Sequence, residues 1–189
     1  MFWWKSRDRI SPQKLPHFFM ELAPSKPGDA TVTEPYVFER EQWVPASLDQ
    51  VFRFFSDAGN LELLTPQWLR FQILTPQPIH MFPGTLIDYR LHWHGIPMRW
   101  RTQITAWQPP HAFEDLQLKG PCKLWRHIHR FQAVDGGTLI RDRVEYLLPF
   151  GIVGGMVHAF SVRRNVERIF AFREQKVEGI FGSGHAHRP

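Results

Sequence analysis

The sequence predicts an α+β fold: a curved seven-stranded antiparallel sheet wraps around one long C-terminal helix, with two short helices after the first strand. Two patterns predict it. Trp125, His127, His129 and Phe131 alternate with Arg126, Ile128 and Arg130; beyond Asp135-Gly136-Gly137, Ile140, Asp142, Val144 and Tyr146 alternate with Arg141, Arg143 and Glu145. Successive strand side chains point to opposite faces, so this is a β-hairpin with one aromatic, imidazole-bearing face and one charged face. After Pro149, in contrast, Ile152, Met156, Phe160, Val166, Ile169, Phe170, Val177 and Ile180 recur at spacings near three and four, the stripe of a long amphipathic helix.

The remaining elements follow in order. Residues 1–34 hold Pro12, Pro16, Pro24 and Pro27 without sustained periodicity and read as a mobile extension. Its Phe2-Trp3-Trp4-Lys5 start leaves open a peripheral membrane or partner contact. Residues 35–182 read as the folded domain. Tyr36 to Val44 is β-rich, and Ser47 with Gln50 three residues later forms a capping box ahead of Val51, Phe52, Phe54 and Phe55. Leu61, Leu63 and Leu64 suggest a second short helix ended by Thr65-Pro66, and Leu69, Phe71 and Ile73 alternate as a strand. Thr85 to Trp93 and Met98 to Trp107 form a hairpin. A turn at Gly95-Ile96 would set Trp93 opposite Met98, Leu91 opposite Trp100 and Tyr89 opposite Thr102. Phe113 to Leu118 is a strand of mixed alternation with no assignable face. Gly182 to Gly184 end the long helix, leaving 183–189 as a loose tail.

Composition narrows the classes. A chain of 189 residues with 16 Phe and 8 Trp has more bulky aromatics than a minimal core needs, which suits a ligand cavity as well as packing. The net charge of +5 is spread among apolar residues instead of running in a block, so no nucleic-acid partner is expected. With Cys122 the sole cysteine, neither a disulfide framework nor a multi-cysteine zinc site can form. No apolar run is long enough for a transmembrane helix, and the start lacks a secretory pattern; a cytoplasmic location is expected.

The order of elements resembles the helix-grip fold of the START and birch-pollen-allergen superfamily, SRPBCC, with its polyketide cyclase/dehydrase-like and lipid-carrying members. Several strings are similar to the branch labelled cell-division-inhibitor-like or ligand-binding SRPBCC proteins: Leu64-Thr65-Pro66, Pro97-Met98-Arg99-Trp100, Gly120-Pro121 with Trp125 to Phe131, and Asp142-Arg143-Val144-Glu145-Tyr146. The resemblance spans roughly 36–181. It implies binding and carriage or sensing of a hydrophobic small molecule, such as a lipid, isoprenoid or polyketide-like compound. Relatives fused to a nucleotide-sugar-epimerase-like domain carry a glycine-rich dinucleotide motif that this chain lacks, and no cofactor is expected.

A helix laid across a curved sheet leaves space between them. The faces put Tyr89, Leu91, Trp93, Trp100, Trp125, His127, His129, Phe131, Val144, Tyr146, Met156 and Phe160 around that interior as ligand-binding candidates. A four-residue loop over Val134 to Gly137 would set His129 opposite Asp142, whereas a register shifted by two residues keeps the faces but separates the pair; a carboxylate beside an imidazole suits acid–base chemistry, the basis of an alternative cyclase or dehydratase reading. A hydrogen-bonded pair on a polar wall accounts for the same residues without catalysis. His127 and His129, with Asp142, also have the types for a metal but fall short of a full donor set, so none is expected. A third alternative is a protein-interaction module using the basic face.

Overall fold

The computed structural model of the protein describes residues 34–149 and 151–182, with side chains throughout except at 151–160. The N-terminal extension, the tail from 183, and the side chains of Met156 and Phe160 lie outside the described residues. Seven strands form one antiparallel sheet: β1 (Tyr36–Val44), β2 (Gln72–Ile73), β3 (Leu86–Trp93), β4 (Ile96–Gln108), β5 (Ala112–Lys119), β6 (Leu124–Val134) and β7 (Gly137–Leu147). Their order, β1-β7-β6-β5-β4-β3-β2, returns the first strand to pair with the last, while the others follow chain order. Helices α1 (Leu48–Ser56) and α2 (Gly151–Phe181) complete the fold expected from the sequence.

Local chemistry starts and stops each helix. The Ser47 hydroxyl accepts from the Gln50 amide and the Gln50 side chain accepts from the Ser47 amide, closing the capping box at the start of α1. Val51, Phe52 and Phe55 on its buried face meet Phe113, Phe131 and Ile140 of the sheet. Phe52 and Phe131 pack edge to face, 5.6 Å between centroids. At the end of α2, Gly182 adopts φ 96 and donates its amide to Glu178 O at 2.8 Å, the left-handed stop that glycine permits.

Between α1 and β3 the chain departs from expectation. The second short helix is a 3₁₀ one, Ala58–Leu61, ending before Leu63 and Leu64, and the run expected as one strand is split. Gln67–Leu69 is a second 3₁₀ turn, Arg70 takes φ 44, and only Gln72–Ile73 remains extended. A left-handed residue in mid-run cannot continue a strand ladder. Leu69 is still buried beside Phe71.

Hairpin β3–β4 is shifted by two residues from the sequence register: Trp93 pairs with Ile96, Leu91 with Met98, Tyr89 with Trp100 and Ile87 with Thr102. The turn is His94-Gly95, at φ 49 and 81. Two left-handed residues match the twist of the flanking strands, whereas the expected turn would have put β-branched Ile96 in a conformation it resists. A shift of two preserves the faces, so the segregation of side chains stands. The β6–β7 pairing has the expected register throughout, from Trp125 opposite Tyr146 to Phe131 opposite Ile140.

One irregularity reorients a core residue. The β4–β5 register shifts between Ile104 and Ala106, inserting one residue into β4. Inward parity therefore passes from Trp100, Thr102 and Ile104 to Trp107, which packs on Phe52 and Phe113. Close approach also fixes the junction of β1 and β7, where a Cβ on Gly137 would lie 2.1 Å from Val44 O and 2.8 Å from the Trp43 ring. Replacing Gly137 by Ala should destabilise the domain by about 1–3 kcal/mol, the usual range for forced overpacking. An unchanged urea midpoint would mean that β1 moves away freely.

Candidate functional site

A cavity of about 220 Å³ lies between the inner sheet face, the 3₁₀ segment and α2. Seven residues singled out in the sequence line it: Tyr89, Leu91, Trp93, Trp100, Trp125, His127 and His129. Tyr89 stacks on Trp100 at 6.0 Å between centroids, Trp125 meets Trp100 edge-on at 5.4 Å, and Phe71 closes on Tyr89 at 4.9 Å. The lining is thus a continuous aromatic surface. Phe131, Val144 and Tyr146 share the inward parity but do not reach the cavity. Phe131 belongs to the cluster under α1, while Val144 and Tyr146 pack against Val166 and Phe170 of α2.

The polar side of the cavity is built on one carboxylate. Asp142 is buried at 6% exposure, and its Oδ1 sits 3.0 Å from His127 Nε2 and 2.8 Å from His129 Nδ1. The His127 contact is an aligned hydrogen bond. That of His129, directly opposite Asp142, is close but off the bonding axis, leaving Nδ1 without a partner. The far nitrogens of both rings turn toward Asp115, with His129 Nε2 at 3.6 Å and His127 Nδ1 at 3.8 Å from its Oδ2. Thr102 donates to the other oxygen of Asp115 at 3.1 Å. Arg173 of α2 reaches in behind, Nη1 3.7 Å from Asp142 Oδ1, and places its guanidinium over the Phe170 ring.

Burial and charge set opposite protonation tendencies on the two histidines. Desolvation, reinforced by neighbouring His129, pushes His127 down to about 4 despite the carboxylates. Burial opposes a charged His129 as well, but the close carboxylates of Asp115 and Asp142 outweigh it and hold its pKa above the ordinary histidine value. Burial alone would raise both aspartates. The two imidazoles overcome it, holding Asp142 well below the usual carboxylate range and Asp115 below it. One imidazole held toward its neutral form and one toward its charged form, against two carboxylates, give the groundwork for proton transfer or for binding a polar headgroup.

Two of these groups escaped sequence reasoning. Asp115 sits on β5, where Phe113 pairs with His129 and Asp115 with His127. Its shared parity with Phe113 was the available signal. Arg173 occupies the inward stripe defined by Val166, Phe170 and Val177, where a 3–4 spacing demands an inward residue. Both Arg173 and Trp100 line the cavity, and Trp100 Nε1 with Arg173 Nε and Nη1 are buried without a hydrogen-bond partner among the described residues.

With the site in view, the comparisons are direct. A family model described as polyketide cyclase/dehydrase and lipid transport matches residues 44–172. The chain belongs to this family. It is thereby a member of the SRPBCC superfamily. No curated protein matches the chain. Among solved structures, the protein TTHA0849 from Thermus thermophilus is similar at 17% identity and a TM-score of 0.60, with 77% of this chain and 99% of that one covered. The di-domain ARO/CYC StfQ from the steffimycin biosynthetic pathway has the same TM-score at 12% identity, covering 78% of this chain and 51% of that one. A nucleoside-diphosphate sugar epimerase from Corynebacterium glutamicum matches at 21% identity and 0.53, over 74% of this chain but 28% of that one. At such identities the family's shared property here is the fold. Among the described residues no helix is long and apolar enough to cross a membrane.

Two outcomes test the geometry. Asp142→Ala should cost roughly 1–3 kcal/mol by stranding two buried imidazoles, read from denaturant unfolding; a change of a few tenths would mean that Asp142 is not their anchor. Cys122 also lines the cavity, and burial pushes its thiol from 9.0 up to about 11. At pH 8 its thiolate is about a hundredfold scarcer than that of an unperturbed thiol, partly offset by greater nucleophilicity. Ellman's reagent should therefore react about tenfold more slowly, with a rate still climbing beyond pH 9. A plateau near pH 9 would contradict this environment.

Proposed function

We propose that this protein binds and carries, or senses, a small hydrophobic molecule in the cavity between sheet and α2. The observation that carries the reading is an aromatic cavity with stranded polar donors at its wall. Among the described residues Trp100 Nε1 and Arg173 Nε and Nη1 have no hydrogen-bonded acceptor, Asp142 lying 3.7 Å from Nη1, and burying such donors unbonded costs free energy that an oxygen-bearing ligand would recover. A volume of about 220 Å³ lies below the roughly 300–1,000 Å³ of pockets for drug-sized ligands, which favours a compact aromatic or short isoprenoid over a long-chain lipid. The ligand's apolar body would lie against Tyr89, Trp100 and Trp125 with its oxygen end toward Arg173.

A second reading is favoured by a specific observation: His127, His129 and Asp115 line the same cavity. A bound carbonyl compound there would meet an acid–base group oriented by Asp142, as cyclase or dehydratase chemistry requires. Native mass spectrometry of protein purified from its source, followed by extraction, separates the two. Carriage predicts a retained apolar molecule whose identity is unchanged by His129→Ala; catalysis predicts that this variant accumulates an unreacted precursor. For the extracted molecule, Trp100→Phe should weaken binding about fivefold, the worth of one neutral hydrogen bond. Absence of any retained molecule, together with no binding of apolar fluorophores at micromolar concentration, would sink both readings.

A further inference from the structure

We propose that Asp115, His127 and His129 form a site for a divalent transition-metal ion of the zinc class, with Asp142 as the positioning residue that orients both imidazoles. The inference departs from the sequence expectation of no metal and does not depend on the hydrophobic-ligand reading. The sequence offered His127, His129 and Asp142 as donors. The fold assigns Asp142 a different place and supplies Asp115 instead.

The division of the ring nitrogens carries the argument. His127 turns Nε2 and His129 turns Nδ1 to the single Oδ1 of Asp142, at 3.0 and 2.8 Å. The opposite nitrogens, His127 Nδ1 and His129 Nε2, converge with Asp115 Oδ2 at 3.8 and 3.6 Å. One ligand atom from each of the three residues lies within 4.8 Å of the others. Donors about 2.0–2.2 Å from a tetrahedral zinc ion stand about 3.4 Å apart, so each histidine nitrogen needs to approach Asp115 by only a few tenths of an ångström, and the two imidazoles to approach each other from within 4.8 Å. Metal-bound histidines commonly give their other nitrogen to a carboxylate, which fixes tautomer and ring orientation; here Asp142 bonds His127 Nε2 and lies 2.8 Å from His129 Nδ1, off its axis, so a small turn of that ring would let one carboxylate serve both.

Access and charge agree with the geometry. The three donors line the cavity whereas Asp142 does not, so coordination positions left open by a three-residue set face the space where a ligand or water would sit. Asp115 and Asp142 bring two carboxylates against the guanidinium of Arg173, and the converging ring nitrogens and carboxylate oxygen need either a proton or a cation between them, so a bound ion would stand where a proton otherwise bridges. Two imidazoles and one carboxylate select a borderline ion over calcium or magnesium, which call for oxygen throughout.

The test uses the full chain carrying His185→Ala and His187→Ala, which removes the His-x-His of the tail as a competing binder. After chelator treatment this protein should bind one Co²⁺ at micromolar concentration, with the visible absorption of a four- or five-coordinate ion, displaced by Zn²⁺ and accompanied by a higher melting temperature. His127→Gln and Asp115→Asn, each checked for native circular dichroism, should weaken binding at least tenfold. Asp142→Asn should weaken it tenfold to a hundredfold while leaving the band positions unchanged, the signature of a group acting through the ligands. Failure of the parent protein to bind Co²⁺ would overturn the proposal, as would binding that survives His127→Gln and Asp115→Asn. In either case the cluster would be an ion-pair network closed by a proton on His129.

Discussion

A carboxylate leaves water at a cost of several kcal/mol unless its lone pairs are taken, and Asp142 sits on the innermost face of the sheet. The hydrophobic elements around it depend on how that cost is met. Two imidazoles from β6 and a guanidinium from α2 approach one oxygen. Each contact therefore holds a different part of the molecule: β6 to β7 through His129 and its diagonal neighbour His127, and α2 to the sheet through Arg173. The aromatic shell formed by Phe113, stacked at 4.2 Å on His129, and Phe170, edge-on to His127 at 5.5 Å, excludes the water that would otherwise compete.

This arrangement places polarity and apolar surface on opposite sides of one small space. Toward α1 the interior is filled by interlocking rings and has no room for a guest. Toward the hairpin β3–β4, rings line the space instead of filling it, Tyr89 and Trp100 stacking on each other along its wall. Among the described residues an indole N–H and two nitrogens of the Arg173 guanidinium sit unbonded at the edge of this aromatic chamber.

Much of this was legible in the residues. The β6–β7 faces could be read from unbroken alternation, and their register from the position of the Asp-Gly turn, since a slip of two would have kept the faces while separating His129 from Asp142. The β3–β4 faces could be read but not the pairing, since a slip of two leaves every face unchanged and only the left-handed conformations of His94 and Gly95 decide it. On β5 alternation misleads. Phe113 and Asp115 share one face while Leu116 and Leu118 take the other, Leu118 being 51% exposed, so a polar residue is inside and an apolar one outside. Arg173 was hidden for the same reason, a charge on an otherwise apolar stripe. Rules built on burying apolar surface miss the residues for which the fold makes an exception, and here those residues gather at the site.

The extra residue in β4 between Ile104 and Ala106 has a further meaning in terms of inheritance. On a wall built by strict alternation, substitutions on the outer face, at Arg126, Arg143 or Glu145, leave the chamber untouched. Insertion of a single residue into β6 would exchange His127 and His129 for Arg126 and Arg130 and turn the wall inside out. At the β4 bulge the same event is absorbed, because the parity change falls where Trp107 can enter the packed cluster under α1 instead of the chamber. Lineages of this domain are therefore free to vary by substitution on its exterior and by insertion near that corner, while β6 and β7 must keep their length residue for residue.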